Sequence, residues 1–383
     1  MITLIFRLIP HLSLVLCMGF HSRVVSQNLP FSASGKAVDD SLRREVARSI
    51  DRGNQWLLEH QDASGFWVSA DQLSTTANAL MALQRDPEEH HAGIKMPVIE
   101  EGYRYLNSCI QKNGGIYTDH SRRLIDTSSA MLALLMKPYA SQEETIKNAR
   151  DFIMRELEVM AGQSEGDTKM ADTLGLDSGG VSQLLSMMHG LEALCFTQAL
   201  YGQSHDAFLE SGRESILHFL GQYQYPVSVS RNTQFAGFES MRGGFMARLP
   251  ALPAQSTPSK IDKEWTLPAG SYGFAGLLSY LYMDVELSDP RVEGTQDWLI
   301  GNYTLKQNPG LGQRELFFYY LCMAKAWSAF KLTDLPDGPS SGKDWRHMLA
   351  LRLMDLQQAD GSWVNARDSG HALLAFEIIY SGL

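Results

Sequence analysis

The stretch Gln61-Asp62-Ala63-Ser64-Gly65-Phe66-Trp67 (QDASGFW) returns almost letter for letter near the far end of the chain, as QADGSW over Gln358 to Trp363. Counted from Gln357, the second stretch keeps the frame of the first, Gln-x3-Gly-x-Trp. A third copy reads Gln111-x3-Gly115-x-Tyr117. Weaker copies keep only the glycine and its surroundings, at Gly179-Gly180, Gly243-Gly244-Phe245 and Gly310-Leu311-Gly312. With Gly65, Gly115, Gly180, Gly244, Gly312 and Gly361 as anchors, the steps are 50, 65, 64, 68 and 49 residues. Self-similarity at such a period is the mark of a repeat-built fold.

Each copy has one grammar. An apolar-periodic stretch such as Ile50 to His60 comes first, a glycine turn follows, and a second stretch rich in small and apolar residues closes the unit. Aligned, the second stretches read TTANALMAL (75–83), DTSSAMLAL (126–134), SMMHGLEAL (186–194), YGFAGLLSY (272–280), YYLCMAKAW (319–327) and DSGHALLAF (368–376). Spacings of three and four dominate and none alternates with period two, so helices are expected throughout. The recurrent alanine and glycine let neighbouring helices approach closely. A helix pair of this size cannot bury its apolar face alone. An open array needs polar end caps, and the last helix ends on Phe376, Ile378, Ile379 and Tyr380 with none. Closure solves this: an all-α (α/α)6 toroid over residues 43–383, six second helices inside and six first helices outside.

At these residues the chain resembles the prenyltransferase and squalene oxidase repeat family, which includes squalene–hopene cyclases and protein prenyltransferase β subunits. The first repeat reads Arg52-Gly53-x2-Trp56-Leu57-x3-Gln61-x3-Gly65-x-Trp67 and fits the family's Gln-Trp motif along its length. The resemblance implies a structural role for Gln61, Gly65, Trp67, Gln111, Gly115, Tyr117, Gln357, Gly361 and Trp363. The glutamine amide ties a helix end to the next repeat, as orphan backbone groups there require, and the aromatic ring packs over it. Such a motif implies fold and leaves activity open. The family's catalytic marks are missing. The Asp-x-Asp-Asp acid of squalene–hopene-type cyclases does not occur, and the one Asp-Asp pair, Asp39-Asp40, lies near the start. The Asp-x-Cys zinc pair of prenyltransferases is absent, since Tyr320 stands two positions before Cys322. The Cys-Gly-Glu-Gln thioester of related complement-type toroids is absent as well.

The 383 residues are 44% hydrophobic and 20% charged, which places the chain among globular proteins. Lys+Arg 33 against Asp+Glu 43 leaves a net charge of -10, with no basic run to follow a nucleic acid or hold an anionic membrane. Residues 1–26 read as a secretory signal: Arg7, an apolar stretch from Ile9 to Phe20, and a Val24-Val25-Ser26 cleavage site before Gln27. That apolar stretch is too short for a comfortable span, so no stable membrane span is expected after cleavage. Residues 27–42 read as a linker, and the protein as exported to the periplasm, the envelope or the medium. Loss of the signal removes Cys17 and leaves Cys109, Cys195 and Cys322, which read as small buried hydrophobes.

Asp126 and Asp368 share one repeat position at the start of their helices, and His189 and His371 share another, three residues on, with Asn78, Ser129 and Cys322. Aromatics crowd the fourth and fifth copies, among them Trp265, Tyr272, Phe274, Tyr319 and Tyr320. Asp126 and Asp368 are the candidate catalytic acids, and helix capping is the competing reading for each. His189, His371, Tyr272, Phe274, Tyr319 and Tyr320 are the candidate ligand-binding residues. His189, His371 and Cys322 are zinc-type ligands by chemistry, but no spacing brings them together, so no metal and no cofactor is read. Three functions fit: an exported toroid that binds an apolar or polymeric ligand, an isoprenoid cyclase or transferase with a relocated acid, and a glycan-active enzyme, which needs paired carboxylates. The missing motifs favour the first, with a hydrophobic, isoprenoid or glycan ligand.

Overall fold

Leu42, Val46, Ile50 and Leu57 are spaced by four and seven residues and put one buried stripe on helix α1 (Asp40–Glu59), as a surface helix requires. The structure is a computed structural model, and it describes residues 40–87, 92–137, 141–162, 182–227, 239–247, 267–332, 334 and 344–383. The signal segment, most of the stretch read as a linker, Gly179-Gly180 and Trp265 lie outside the described residues. Among the described residues the first helix is present from Asp40, and Leu42 is already buried in it.

Among the described residues ten further α-helices follow: α2 (Gln72–Gln84), α3 (Ala92–Ser108), α4 (Arg123–Leu134), α5 (Glu143–Ala161), α6 (Gln183–Tyr223), α7 (Gly270–Tyr282), α8 (Pro290–Asn302), α9 (Leu316–Ala329), α10 (Trp345–Leu356) and α11 (Ala366–Gly382). Helix α6 is two helices joined at Tyr201, whose φ of -131° and ψ of 34° are not helical. Six pairs result, and among the described residues there are no strands, only isolated bridges in the turns. Helices α2, α4, the first half of α6, α7, α9 and α11 form the inner layer. Each packs on the next, and α11 packs on α2, so the ring is closed. Inner helices are apolar nearly all round; α7 buries every residue but Leu281.

The turn motif stitches each pair to the next outer helix. Gln61 Nε2 donates to the Gly65 carbonyl at 2.9 Å and to the Val98 carbonyl of α3 at 2.8 Å. Gln357 repeats this with Gly361 and with Ser49 of α1, both at 2.9 Å, and so closes the ring. Trp67 and Trp363 are fully buried, and their indole N–H groups donate to Leu57 and Leu353, each at 2.8 Å, at the end of the preceding outer helix. Gly65 and Gly361 have φ of 88° and 95°, and a Cβ there would lie 2.4 Å and 2.5 Å from a carbonyl of the next outer helix.

The second and fourth repeats shift the sequence frame by one residue and the fifth by two. Gly114, with φ of 89°, is the left-handed glycine of the second repeat, so the structural frame is Ile110-x3-Gly114-x-Ile116. Backbone hydrogen bonds confirm the shift. Gln111 N–H donates to Gly115 as Asp62 N–H does to Phe66. Ile116 N–H donates to Thr127 Oγ1 as Trp67 N–H does to Thr76 Oγ1. Gln111 therefore bonds only within its own loop, to the Cys109 and Tyr117 carbonyls. Likewise Gly243 and Gly310 turn the fourth and fifth repeats, with φ of 76° and 79°. Gln224 is the glutamine of the fourth. It donates to the Gly243 carbonyl, to the Arg291 carbonyl of α8 at 2.8 Å and to Thr295 Oγ1 at 2.8 Å.

Candidate functional site

All six inner helices contribute to one central cavity of about 90 Å³. Positions equivalent to Asn78 supply its polar middle: Asn78, Ser129, His189 and His371. One turn further on stand Met81, Leu132, Glu192, Leu278, Lys325 and Leu374, and Phe196, Phe318 and Ile378 complete an otherwise apolar wall. Glu192 and Lys325 share a repeat position on α6 and α9 and meet across the lumen, Nζ to Oε1 at 2.6 Å. The Tyr282 hydroxyl donates to the same oxygen at 3.2 Å. Burial opposes the Glu192 carboxylate, yet Lys325, His189 and Tyr282 outweigh it and hold its pKa below the usual glutamate value.

Phe318 lies between the two histidines, its ring 6.0 Å from His189 and 5.6 Å from His371. Burial pushes His189 down to about 4, against the pull of Glu192, and pushes His371 well below its ordinary value, with Arg367 and His189 adding to the effect. Both imidazoles are therefore neutral at pH 7. His371 Nδ1 is buried with no hydrogen-bond partner. The lumen thus presents apolar walls, an ion pair and three buried polar atoms without a hydrogen-bond partner, His371 Nδ1, Glu192 Oε2 and Arg85 Nε.

No family model and no curated protein matches the sequence. Solved structures do. The type II terpene cyclase MstE from Scytonema, as a variant bound to geranylgeranyl dihydroxybenzoate, superposes with a TM-score of 0.53 at 11% identity, covering 90% of this chain and 100% of that one. A second variant of MstE, without ligand, gives 0.50 at 12% identity, over 90% and 99% of the two chains. This chain has the type II terpene cyclase fold. At such identities the likeness is one of architecture, the α/α toroid, and each site residue must be judged where it stands.

In the toroid Asp126 caps nothing. It lies inside the first turn of α4, its side chain is 3% exposed, and Arg122 Nε is 3.6 Å from Oδ1. That oxygen makes no hydrogen bond. Burial raises its pKa to about 7, with Arg122 acting against the rise and Asp71 with it. Asp368 belongs to a cap in which Asn365 is the N-cap residue: Asn365 Oδ1 accepts from the Asp368 N–H at 2.9 Å, and Asn365 Nδ2 donates back to Asp368 Oδ2 at 3.1 Å. Neither acid lines the cavity. Both stand at the N-terminal mouth, beside a chain of ion pairs. Arg122 meets Asp71 at 2.9 Å, Arg367 meets Asp71 at 3.0 Å, and Arg367 holds Glu315 in a fork.

His189 and His371 do line the lumen, whereas Tyr272, Phe274, Tyr319 and Tyr320 do not. Phe274 packs on Tyr319 and Trp327. The Tyr319 and Tyr320 hydroxyls donate outward to the Thr304 and Leu305 carbonyls. Tyr319 and Tyr320 thus tie the inner layer to the segment that follows α8, and Phe274 packs within the inner layer. Cys322 is buried away from the cavity, with its thiol pushed up to about 12 by burial. Among the described residues no three His, Cys, Asp or Glu side chains converge on one point. The polar lumen residues missed by sequence reading, Glu192 and Lys325, carry one legible signal: they are charges in the middle of otherwise apolar inner stretches.

Proposed function

We propose that this chain is a binding toroid whose lumen takes a compact, largely apolar molecule with one hydrogen-bonding group, and that it does not cyclise that molecule. One observation carries the reading: Glu192, the only acid of the cavity lining among the described residues, is bound by Lys325. Cyclases of the squalene–hopene type need a protonated carboxyl facing the substrate, and an ion-paired glutamate with a lowered pKa is a poor proton donor. Size supports the same reading. A cavity of about 90 Å³ is smaller than the ~150 Å³ that accommodates benzene, which sets an upper limit near the six heavy atoms of that molecule. One branched isoprene unit with a hydroxyl has that scale, and His371 Nδ1 is the partner for the hydroxyl.

The cyclase alternative draws on Asp126, whose pKa of about 7 keeps it partly protonated at neutral pH; its place outside the cavity lining counts against it. The glycan-active alternative lacks a second lumen carboxylate among the described residues. Calorimetric titration with 3-methylbut-2-en-1-ol and with geranylgeraniol tests the reading. The short alcohol binds and the long one does not, and geranylgeranyl substrates are recovered uncyclised. Formation of a cyclised product ends it. Export through residues 1–26 is part of the same proposal, and N-terminal sequencing of the secreted or envelope fraction should begin at Gln27.

A further inference from the structure

The six aligned inner stretches carry one lysine, Lys325, and no arginine. At its repeat position four other inner helices place Met81, Leu132, Leu278 and Leu374, so Lys325 and Glu192 stand in an aliphatic ring. The Lys325 side chain lines the lumen and is 23% exposed, against 3% for Glu192, which makes the amine the accessible half of the pair. Nζ donates to Glu192 Oε1 at 2.6 Å and has no second acceptor among the described residues. The Tyr282 hydroxyl holds the same oxygen at 3.2 Å. Leu281, Phe318 and Leu321 continue the wall around them. An ion pair out of water stabilises a fold little more than apolar residues of equal volume do, so folding alone does not account for this one. An amine held by one carboxylate in apolar surroundings is the arrangement in which lysines form imines.

We propose that the lumen takes a compact apolar aldehyde and that Lys325 captures it as an imine. The inference rests on the reading of the lumen as a binding site and names the class of its ligand; the alcohol of the same skeleton is an unreactive analogue. Glu192 moves the protons. It takes one from the Lys325 ammonium along the bond between them, and the freed electron pair on Nζ attacks the carbonyl carbon. The carbonyl oxygen receives the displaced pair and then that proton, which gives a carbinolamine. A second proton passes from nitrogen through Glu192 to the new hydroxyl, the C–O bond breaks, water leaves, and the nitrogen lone pair closes the C=N bond. Two of the three ammonium protons depart in the water and the third stays on nitrogen. The iminium keeps the positive charge of Lys325, so Glu192 remains paired and no oxidant, reductant or further reactant is needed. The aliphatic ring keeps bulk water from the imine. An alcohol or a carboxylate offers no carbon that the amine can attack in this way. A branched five-carbon aldehyde matches the limit of about six heavy atoms that the cavity sets.

The test incubates the full protein at pH 7 with 3-methylbut-2-enal and cyanoborohydride, and maps the modified peptides by mass spectrometry. One reduced adduct per chain is expected, on Lys325, formed at least about tenfold faster than on any surface lysine. Saturating 3-methylbut-2-en-1-ol should suppress it. Lys325→Arg, which keeps a positive charge beside Glu192, should melt like the parent and lose the adduct; should that variant not fold, the peptide map of the unaltered protein decides alone. Adducts scattered over the lysines with no preference for Lys325 overturn the capture, and calorimetric binding of the alcohol then leaves the binding reading standing. A Lys325 adduct that forms as fast under saturating alcohol also overturns it, because the reaction then takes place outside the lumen. Binding of neither the aldehyde nor the alcohol overturns both readings.

Discussion

Replacing Asp126 by asparagine should stabilise the protein above neutral pH. The carboxyl is buried, its Oδ1 has no hydrogen bond, and its pKa rises from 3.8 to about 7. A raised acid binds its proton more tightly in the folded state than in the unfolded one. Stability is then full below the unfolded value of 3.8 and is lost as pH rises through about 7. At ~1.36 kcal/mol for each tenfold in proton affinity, the loss is about 4 kcal/mol. Solvent screening takes little from this figure, because the side chain is 3% exposed. Asparagine keeps the shape and cannot ionise. Arg122 loses a neighbour at 3.6 Å but keeps Asp71 at 2.9 Å. Urea unfolding of both proteins from pH 4.5 to 8.5 should show curves that diverge with pH, with the variant a few kcal/mol more stable at the alkaline end. A variant less stable than the parent at pH 8 refutes the reasoning and makes Asp126 a working partner of Arg122.

Lys325→Met leaves Glu192 buried and unpaired and should cost about 3–5 kcal/mol in chemical denaturation, whereas Lys325→Met with Glu192→Leu should recover most of it. The lumen histidines should make the fold acid-sensitive. For His189, depressed from 6.5 to about 4, the unfolded chain takes up a proton first, so stability falls by about 3 kcal/mol as pH drops through that window; His189→Gln should flatten the dependence. Gln224→Leu removes the acceptor of the buried Tyr280 hydroxyl and a donor to the Arg291 carbonyl and Thr295, and should cost about 1–3 kcal/mol, while Gln111→Leu, exposed and bonded within its loop, should cost less than about 1 kcal/mol; thermal melts compare the two.

That contrast also marks how far the repeat was legible. At 61–67 and 357–363 glutamine, glycine and tryptophan hold one spacing, and the hydrogen bonds follow the letters. In the second repeat isoleucine replaces tryptophan, so a neighbouring Gln111 and Tyr117 imitate the motif one residue out of frame. In the fourth, nineteen residues separate Gln224 from Gly243 and hide the pair. The site was less legible for a physical reason. Inner helices are buried on every side, so apolar periodicity does not distinguish the face toward the lumen from the face toward the outer layer. Tyr319 and Phe318 are adjacent and equally apolar in appearance, yet only Phe318 reaches the cavity. Two histidines at one repeat position did point there. Asp126 and Asp368 shared a position too, one turn too early, at the charged mouth.

A crystal structure of the protein grown with 3-methylbut-2-en-1-ol tests the lumen as a binding site most directly. The predicted result is density for the alcohol in the lumen beside His371, with its hydroxyl within hydrogen-bond distance of His371 Nδ1. A lumen that holds only water, with the alcohol absent or bound elsewhere on the toroid, would contradict the account.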